Sequence, residues 1–207
     1  MADPLDLITL AEAKAAINLS NSSVDAELAG YVTAVSRRID DLCGPVVQRD
    51  VLEQYAGGTT YVVLSQAPAS SMAVTTIVSC TEYESGTPTV LTAESLTAQS
   101  SYNYQFNTPV GILTRRSGWT DAPFASQAVV VEYLPGRAAN TTLVDPKFKQ
   151  AAAMMLAHLW RREQGSGTVT FAEYQSGTAN LTPTFAVPNA VLQVLEGELV
   201  GTAIGAA

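Results

Sequence analysis

Residues 143–163 read LVDPKFKQAAAMMLAHLWRRE, and this stretch sets the architecture of the chain. Asp145 can accept hydrogen bonds from the unpaired amide groups of a first helical turn. Pro146 at the first helical position loses nothing, because its missing N–H would have had no partner there. One amphipathic helix then runs to Arg161-Arg162-Glu163, and Gly165 stops it. Nothing in the stretch has the form of a catalytic motif, so it reads as a packing element.

Toward the N-terminus, Thr9-Leu10-Ala11-Glu12 has the form of a capping box, with Thr9 bonding forward and Glu12 bonding back. A short helix to Ile17 is expected, then polar residues at 18–23 and a second helix start at Ser22-Ser23-Val24-Asp25. Val24, Leu28, Tyr31, Val35, Ile39 and Leu42 fall at steps of three and four, one face of a helix that Gly44-Pro45 ends. Toward the C-terminus, residues 165–183 are rich in Gly, Ser and Thr, with Val169, Phe171, Tyr174 and Leu181 as anchors and no period. A loop of that length is either functional or disordered. Pro188-Asn189-Ala190-Val191 opens a last helix with Val191, Leu192, Leu195 and Leu199 on its apolar side. The tail from Gly201 is expected to fray.

Between the helices the texture changes. Thr, Val, Tyr and Ser dominate from 46 to 136, and Gly and Pro recur at short intervals. The spacing predicts strands at 46–55, 60–64, 73–80, 87–91, 102–106, 111–115 and 127–134, with a hairpin turn at Glu84-Ser85-Gly86. Connections this short favour antiparallel pairing, since parallel crossovers need more chain. The run from Gln127 to Tyr133 reads as the most buried strand, and Tyr102, Tyr104 and Phe106 give one strand an aromatic face. The predicted fold is α+β: a small bundle of two N-terminal and two C-terminal helices carrying a large antiparallel β insertion. The expected boundaries are 1–45 for the first helices, 46–137 for the β insertion, 138–200 for the last helices with a flexible loop at 165–187, and a flexible tail at 201–207.

Bulk chemistry narrows the function. The chain has 207 residues, of which 47% are apolar and 14% charged, with a net charge of −8. Enough apolar surface exists to offset chain entropy. The low charge fraction suits a protein that covers much of its surface with copies of itself. A grip on a phosphate backbone calls for a basic excess, whereas this chain is acidic. Cys43 and Cys80 form no C-x-x-C pair, and are read as buried thiols or a disulfide. An acidic N-terminal segment lacks the form of a signal peptide, and no apolar run approaches membrane-spanning length. A soluble product made in the cytoplasm is expected, with no membrane partner.

Catalytic patterns are missing. The one imidazole, His158, lies mid-helix with no second His one turn away, so neither a nucleophile–His system nor a metal hydrolase motif is supported. Asp40-Asp41 are helical neighbours that point apart, unlike two carboxylates facing one bond. Gly165-Ser166-Gly167 follows a helix rather than a strand, so it reads as a stop and linker. No cofactor, metal or enzymatic activity is expected. Trp119 and Trp160 read as packing residues. Three arginine doublets, Arg37-Arg38, Arg115-Arg116 and Arg161-Arg162, read as solvated surface or as partners for acids on a neighbouring subunit.

Several segments, in order, resemble the head–tail connector family, the adaptor or head-completion proteins of long-tailed bacteriophages. Leu7-Ile8-Thr9-Leu10-Ala11-Glu12-Ala13-Lys14 resembles the family's opening helix, and Asp25-Ala26-Glu27-Leu28 onward to Asp41-Leu42-Cys43-Gly44 its second helix and glycine stop. Leu64-Ser65-Gln66-Ala67-Pro68 and Val131-Glu132-Tyr133-Leu134-Pro135-Gly136 resemble its β region. Lys149-Gln150-Ala151 through Leu159-Trp160-Arg161-Arg162-Glu163 resembles the long helix, and Val187-Pro188-Asn189-Ala190-Val191 with Leu195 the closing one. The β insertion and the loop after Gly165 depart from the pattern. The resemblance implies a virion neck protein, a ring usually of twelve subunits beneath the portal, extending the DNA channel and docking a stopper or tail-completion protein. Genomic DNA would pass through without sequence-specific binding. Arg37, Arg38, Arg161, Arg162, Val169, Phe171 and Tyr174 are the expected partner contacts. The alternative is a carbohydrate- or protein-binding β module of a phage or bacterial surface protein, motivated by Tyr102–Phe106 and Trp119.

Overall fold

The computed structural model describes residues 3–67, 75–94, 103–164 and 187–199, the side chains of 162–164 excepted. The described chain is α+β. Helices α1 (Leu10–Ala16) and α2 (Asp25–Cys43) precede strands β1 (Val51–Ala56), β2 (Tyr61–Val63), β3 (Thr76–Glu84), β4 (Thr87–Val90), β5 (Tyr104–Asn107), β6 (Ile112–Ser117), β7 (Thr120–Asp121) and β8 (Ala128–Leu134). Helices α3 (Pro146–Gln164) and α4 (Asn189–Val194) follow. The contacts divide the chain into a helical unit, up to 42 and from 141, and a β unit at 43–140.

In the helical unit the caps form as their sequence dictates. Thr9 N–H donates to Glu12 Oε2 at 2.7 Å and Glu12 N–H donates back to Thr9 Oγ1 at 3.2 Å. Lys147 N–H donates to Asp145 Oδ1 at 2.8 Å, so Asp145 caps α3 and Pro146 follows it. The core takes Leu28, Val32, Val35 and Ile39 from α2, and Phe148, Ala151, Ala152, Met155, Leu156 and Leu159 from α3. Leu7 and Ile8 are buried before α1 begins, where Leu7 N–H donates to Ser36 Oγ at 3.0 Å. Lys149 reaches Glu12 at 2.7 Å, tying α3 to α1, and Lys147 donates to the Glu196 carbonyl at 2.9 Å beyond α4.

Two helix expectations need correction. The buried stripe of α2 passes through Val32, while Tyr31 and Leu42 are half-buried. Tyr31 flanks the stripe and meets Trp160 edge-on, ring centroids 5.9 Å apart. The last helix ends at Val194, so Leu199 is not on it. Leu195 caps it, and Gly197 at φ 87° turns the chain away.

Among the described residues of the β unit every strand pairing is antiparallel, in two sheets ordered β1-β8-β3-β4 and β2-β6-β5, with β7 on β6. β8 is flanked on both sides, and its Val129, Val131 and Tyr133 are buried with Cys80, Leu113, Tyr104, Phe124, Val62, Leu64 and Leu91. Both cysteines are free and buried. Ser85 and Gly86, at φ 51° and 79°, form the two-residue loop between Glu84 and Thr87, as the positive-φ hairpin turns require. Gly57 allows a close approach that no other residue fits, since a Cβ there would lie 1.8 Å from the Ala125 carbonyl oxygen.

Strand limits shift for physical reasons. β1 begins at Val51, because Val46 accepts from Arg137 N–H and Ala138 N–H and Val47 makes an isolated bridge to Ala138. β3 continues past Cys80 to Glu84, with the charged Glu82 turned inward. That inward charge is matched from the other sheet. Arg115 Nη2 and Nε donate to the Glu82 carboxylate at 3.0 and 3.1 Å, and Ala125 N–H donates at 3.1 Å. Burial pushes the Glu82 carboxyl up, but the Arg115 guanidinium and the Ala125 amide outweigh it and hold it below the ordinary glutamate value.

Candidate interaction surfaces

The groups that could carry chemistry are poorly placed for it. His158 is exposed on α3. Asp40 is buried with Arg37 Nη1 4.0 Å away, while Asp41 is exposed beside Arg38 at 3.9 Å, so the two acids sit in different environments. Burial pushes the Cys80 thiol up to about 12, where it is no nucleophile at neutral pH. Among the described residues no cluster of three His, Cys, Asp or Glu could hold a metal, and no helix is long and apolar enough to cross a membrane.

The arginines divide. Arg37 bonds Asp3 at 2.9 Å and Arg38 pairs with Asp41, so both are engaged within the chain while keeping about two-fifths of their side-chain surface open, 42% and 39%. Arg115 is spent on Glu82, and Arg116 forms an ion pair with Asp121. Arg161 is exposed at the end of α3. The Arg162 side chain, together with Val169, Phe171, Tyr174, the 165–186 part of the expected loop and the tail from 201, lies outside the described residues. Of the expected contacts, the structure describes Arg37 and Arg38 on α2 and Arg161 on α3.

Two surface features of the β unit stand out instead. The first is the outer face of the β1-β8-β3-β4 sheet. Strand alternation turns Val129, Val131 and Tyr133 inward, so the cross-strand rows on the other side are Leu52–Glu132–Ser79, Gln54–Val130–Thr81–Val90 and Ala56–Ala128–Tyr83–Pro88. Glu132 is the one charged residue in those rows, and Ser79 Oγ donates to it at 3.2 Å. Leu52 and Val90 are 70% and 71% exposed. Within this face Gln54, Tyr83, Gln127, Ala128 and Val130 line a hollow of about 300 Å³.

The second feature is the β6–β7 hairpin on the other sheet. Its two-residue loop is Gly118-Trp119, with Gly118 at φ 60° in the first position, where glycine suits such turns. Trp119 is 65% exposed, against the expectation that it packs. The hairpin is braced: Arg116 Nη2 donates to the Trp119 carbonyl at 2.9 Å, Arg116 pairs with Asp121, and Thr120 Oγ1 donates to the Ser117 carbonyl at 3.1 Å. A sequence cue existed, since Gly118-Trp119 sits between residues of opposite charge at Arg116 and Asp121. By contrast, Tyr104 is buried and Phe106 packs on the core, and both line a separate hollow of about 460 Å³ with Thr75, Ile77 and Glu94, while Tyr102 lies outside the described residues.

The fold has counterparts. The chain is similar to one from the neck of an empty GTA particle computed with C6 symmetry, at a TM-score of 0.54 and 14% identity, covering 75% of this chain and 78% of that one. It is also similar to a chain from the virion of a native gene transfer agent (GTA) particle, at a TM-score of 0.55 and 16% identity, covering 83% and 87%. At these identities the likeness shows a shared fold. No family model matches the sequence, and no curated protein matches it.

Proposed function

We propose that the chain is a structural head-to-tail adaptor of a tailed bacteriophage, forming a ring under the portal that extends the DNA channel and docks the stopper or tail. The observation that carries this reading is the fold shared, over most of both chains, with a chain from a GTA particle neck. The order of family-like segments along the sequence supports it independently. Six-fold symmetry in that neck agrees with repeated identical copies, and a ring of twelve satisfies it. A net charge of −8 suits a channel wall that lets DNA slide, because it offers a phosphate backbone no net counter-charge. Buried thiols and an isolated exposed histidine suit a protein that makes contacts rather than bonds.

Arg37, Arg38 and Arg161, with Arg162, Val169, Phe171 and Tyr174 from the sequence alone, are the proposed contacts to portal, stopper or a neighbouring copy. Mass spectrometry of purified particles of the encoding phage tests the adaptor role. The chain is expected at a fixed ratio to portal in mature particles. Mature, infectious particles that lack it contradict the proposal.

A further inference from the structure

The ring reading leaves open how one copy grips the next, and the β unit carries a knob and a hollow of matching chemistry. We propose that Trp119 of one copy seats in the hollow at Gln54, Tyr83, Gln127, Ala128 and Val130 of the adjacent copy. This rests on the ring reading above and names the contact within it.

The knob is prepared for binding. An exposed indole leaves a large apolar surface in water, a cost that burial in a partner would remove. Trp119 is also held out by the Arg116–Asp121 pair and the Arg116 bond to its own carbonyl. The backbone of the turn that presents the indole is therefore braced before contact, which lowers the entropy lost on binding. Tryptophan is among the residues most enriched as interface anchors.

The hollow suits an indole. Its lining pairs the apolar Val130 and Ala128 and the Tyr83 ring with two side-chain amides, Gln54 and Gln127. The indole N–H needs an acceptor when buried, and the amide oxygens supply one. Gln127 Oε1 already accepts from Gly86 N–H at 2.9 Å, which fixes that amide in place and leaves it a second lone pair. Exposed Leu52 and Val90 extend the apolar surface on the same face.

The ring reading supplies the occupant, a second copy, and charge allows it at this patch. Each copy carries −8, so identical copies repel one another except through neutral patches. Among the described residues the hollow's lining holds no charge, and the charges beside the knob, Arg116 and Asp121, neutralise each other. Knob and hollow belong to different sheets, so the contact joins two unlike patches. Repeated head-to-tail contacts of that kind close into rings when the rotation from copy to copy divides a full turn.

Cysteine pairing tests the contact in the full chain. The double variant Trp119→Cys with Gln54→Cys is oxidised mildly and run on a denaturing gel, with each single variant as control; the native Cys43 and Cys80 are fully buried. A covalent ladder running beyond the dimer, in the double variant only, is expected. Trp119→Ala should melt like the parent yet need about 30-fold more protein to assemble, the effect of losing a contact worth about 2 kcal/mol. Trp119→Phe should recover part of that loss. Rings that form with no ladder, and with Trp119→Ala assembling like the parent, overturn this contact and leave the ring reading standing. A ladder that stops at dimers overturns its head-to-tail form. A parent chain that makes no ring under any condition overturns both.

Discussion

Glu82 and Arg115 show how one pair of side chains can join two sheets. Glu82 lies on β3 and Arg115 on β6, with 11% and 15% of their side-chain surfaces exposed. Removing one partner strands the other charge in a poorly hydrated site, so Arg115→Ala is expected to lower stability by about 3–5 kcal/mol in urea unfolding. The same pair sets a pH dependence. The folded Glu82 carboxyl lies below its ordinary value of 4.5, so its stabilisation is fully present above that value and is lost as pH falls through the folded value. Glu82→Gln should flatten that part of the acid-unfolding curve relative to the parent. This pairing was not legible in the sequence. The two residues stand 33 positions apart, and a single Glu among Thr and Tyr reads as solvated. Trp119 was misread for a related reason: apolar character predicts burial on average, while a turn of two residues leaves its side chains nothing local to pack against.

At the scale of elements, the local signals were the readable ones. A helix cap is decided by residues three apart, so Thr9, Glu12 and Asp145 were legible before any tertiary contact was known. Asp145→Ala should cost about 1 kcal/mol, read as a shift in the thermal midpoint. Positive φ at Ser85 and Gly86 likewise fixed the β3–β4 register. Registers set by distant partners were less legible. Whether Tyr31 or Val32 faces the core of α2 depends on where Trp160 of α3 sits, and periodicity alone allows either. Leu156 on α3 is fully buried, so Leu156→Asp should abolish the cooperative melt of the helical unit, because an unpaired buried carboxylate costs several kcal/mol, roughly the net stability of a small domain. A variant that melts like the parent would mean that α3 presents another face.

For the molecule as a whole, the α+β class followed from a switch in texture, helical periods at both ends and closely spaced strands between. The candidate contacts followed less well. Arginine doublets announce charge but not its destination, and Arg115 and Arg116 satisfy theirs within the chain. The neutral outer face of the β1-β8-β3-β4 sheet becomes visible only once strand register assigns Leu52, Gln54, Val130 and Val90 to one side. The proposed function turns on that scale, because a ring adaptor acts through geometry shared by identical copies. Electron microscopy of the purified chain, alone and mixed with the portal protein it is proposed to bind, tests this most directly. The account predicts closed rings with a central opening that stack on the portal. Particles that remain single copies in both samples would contradict it.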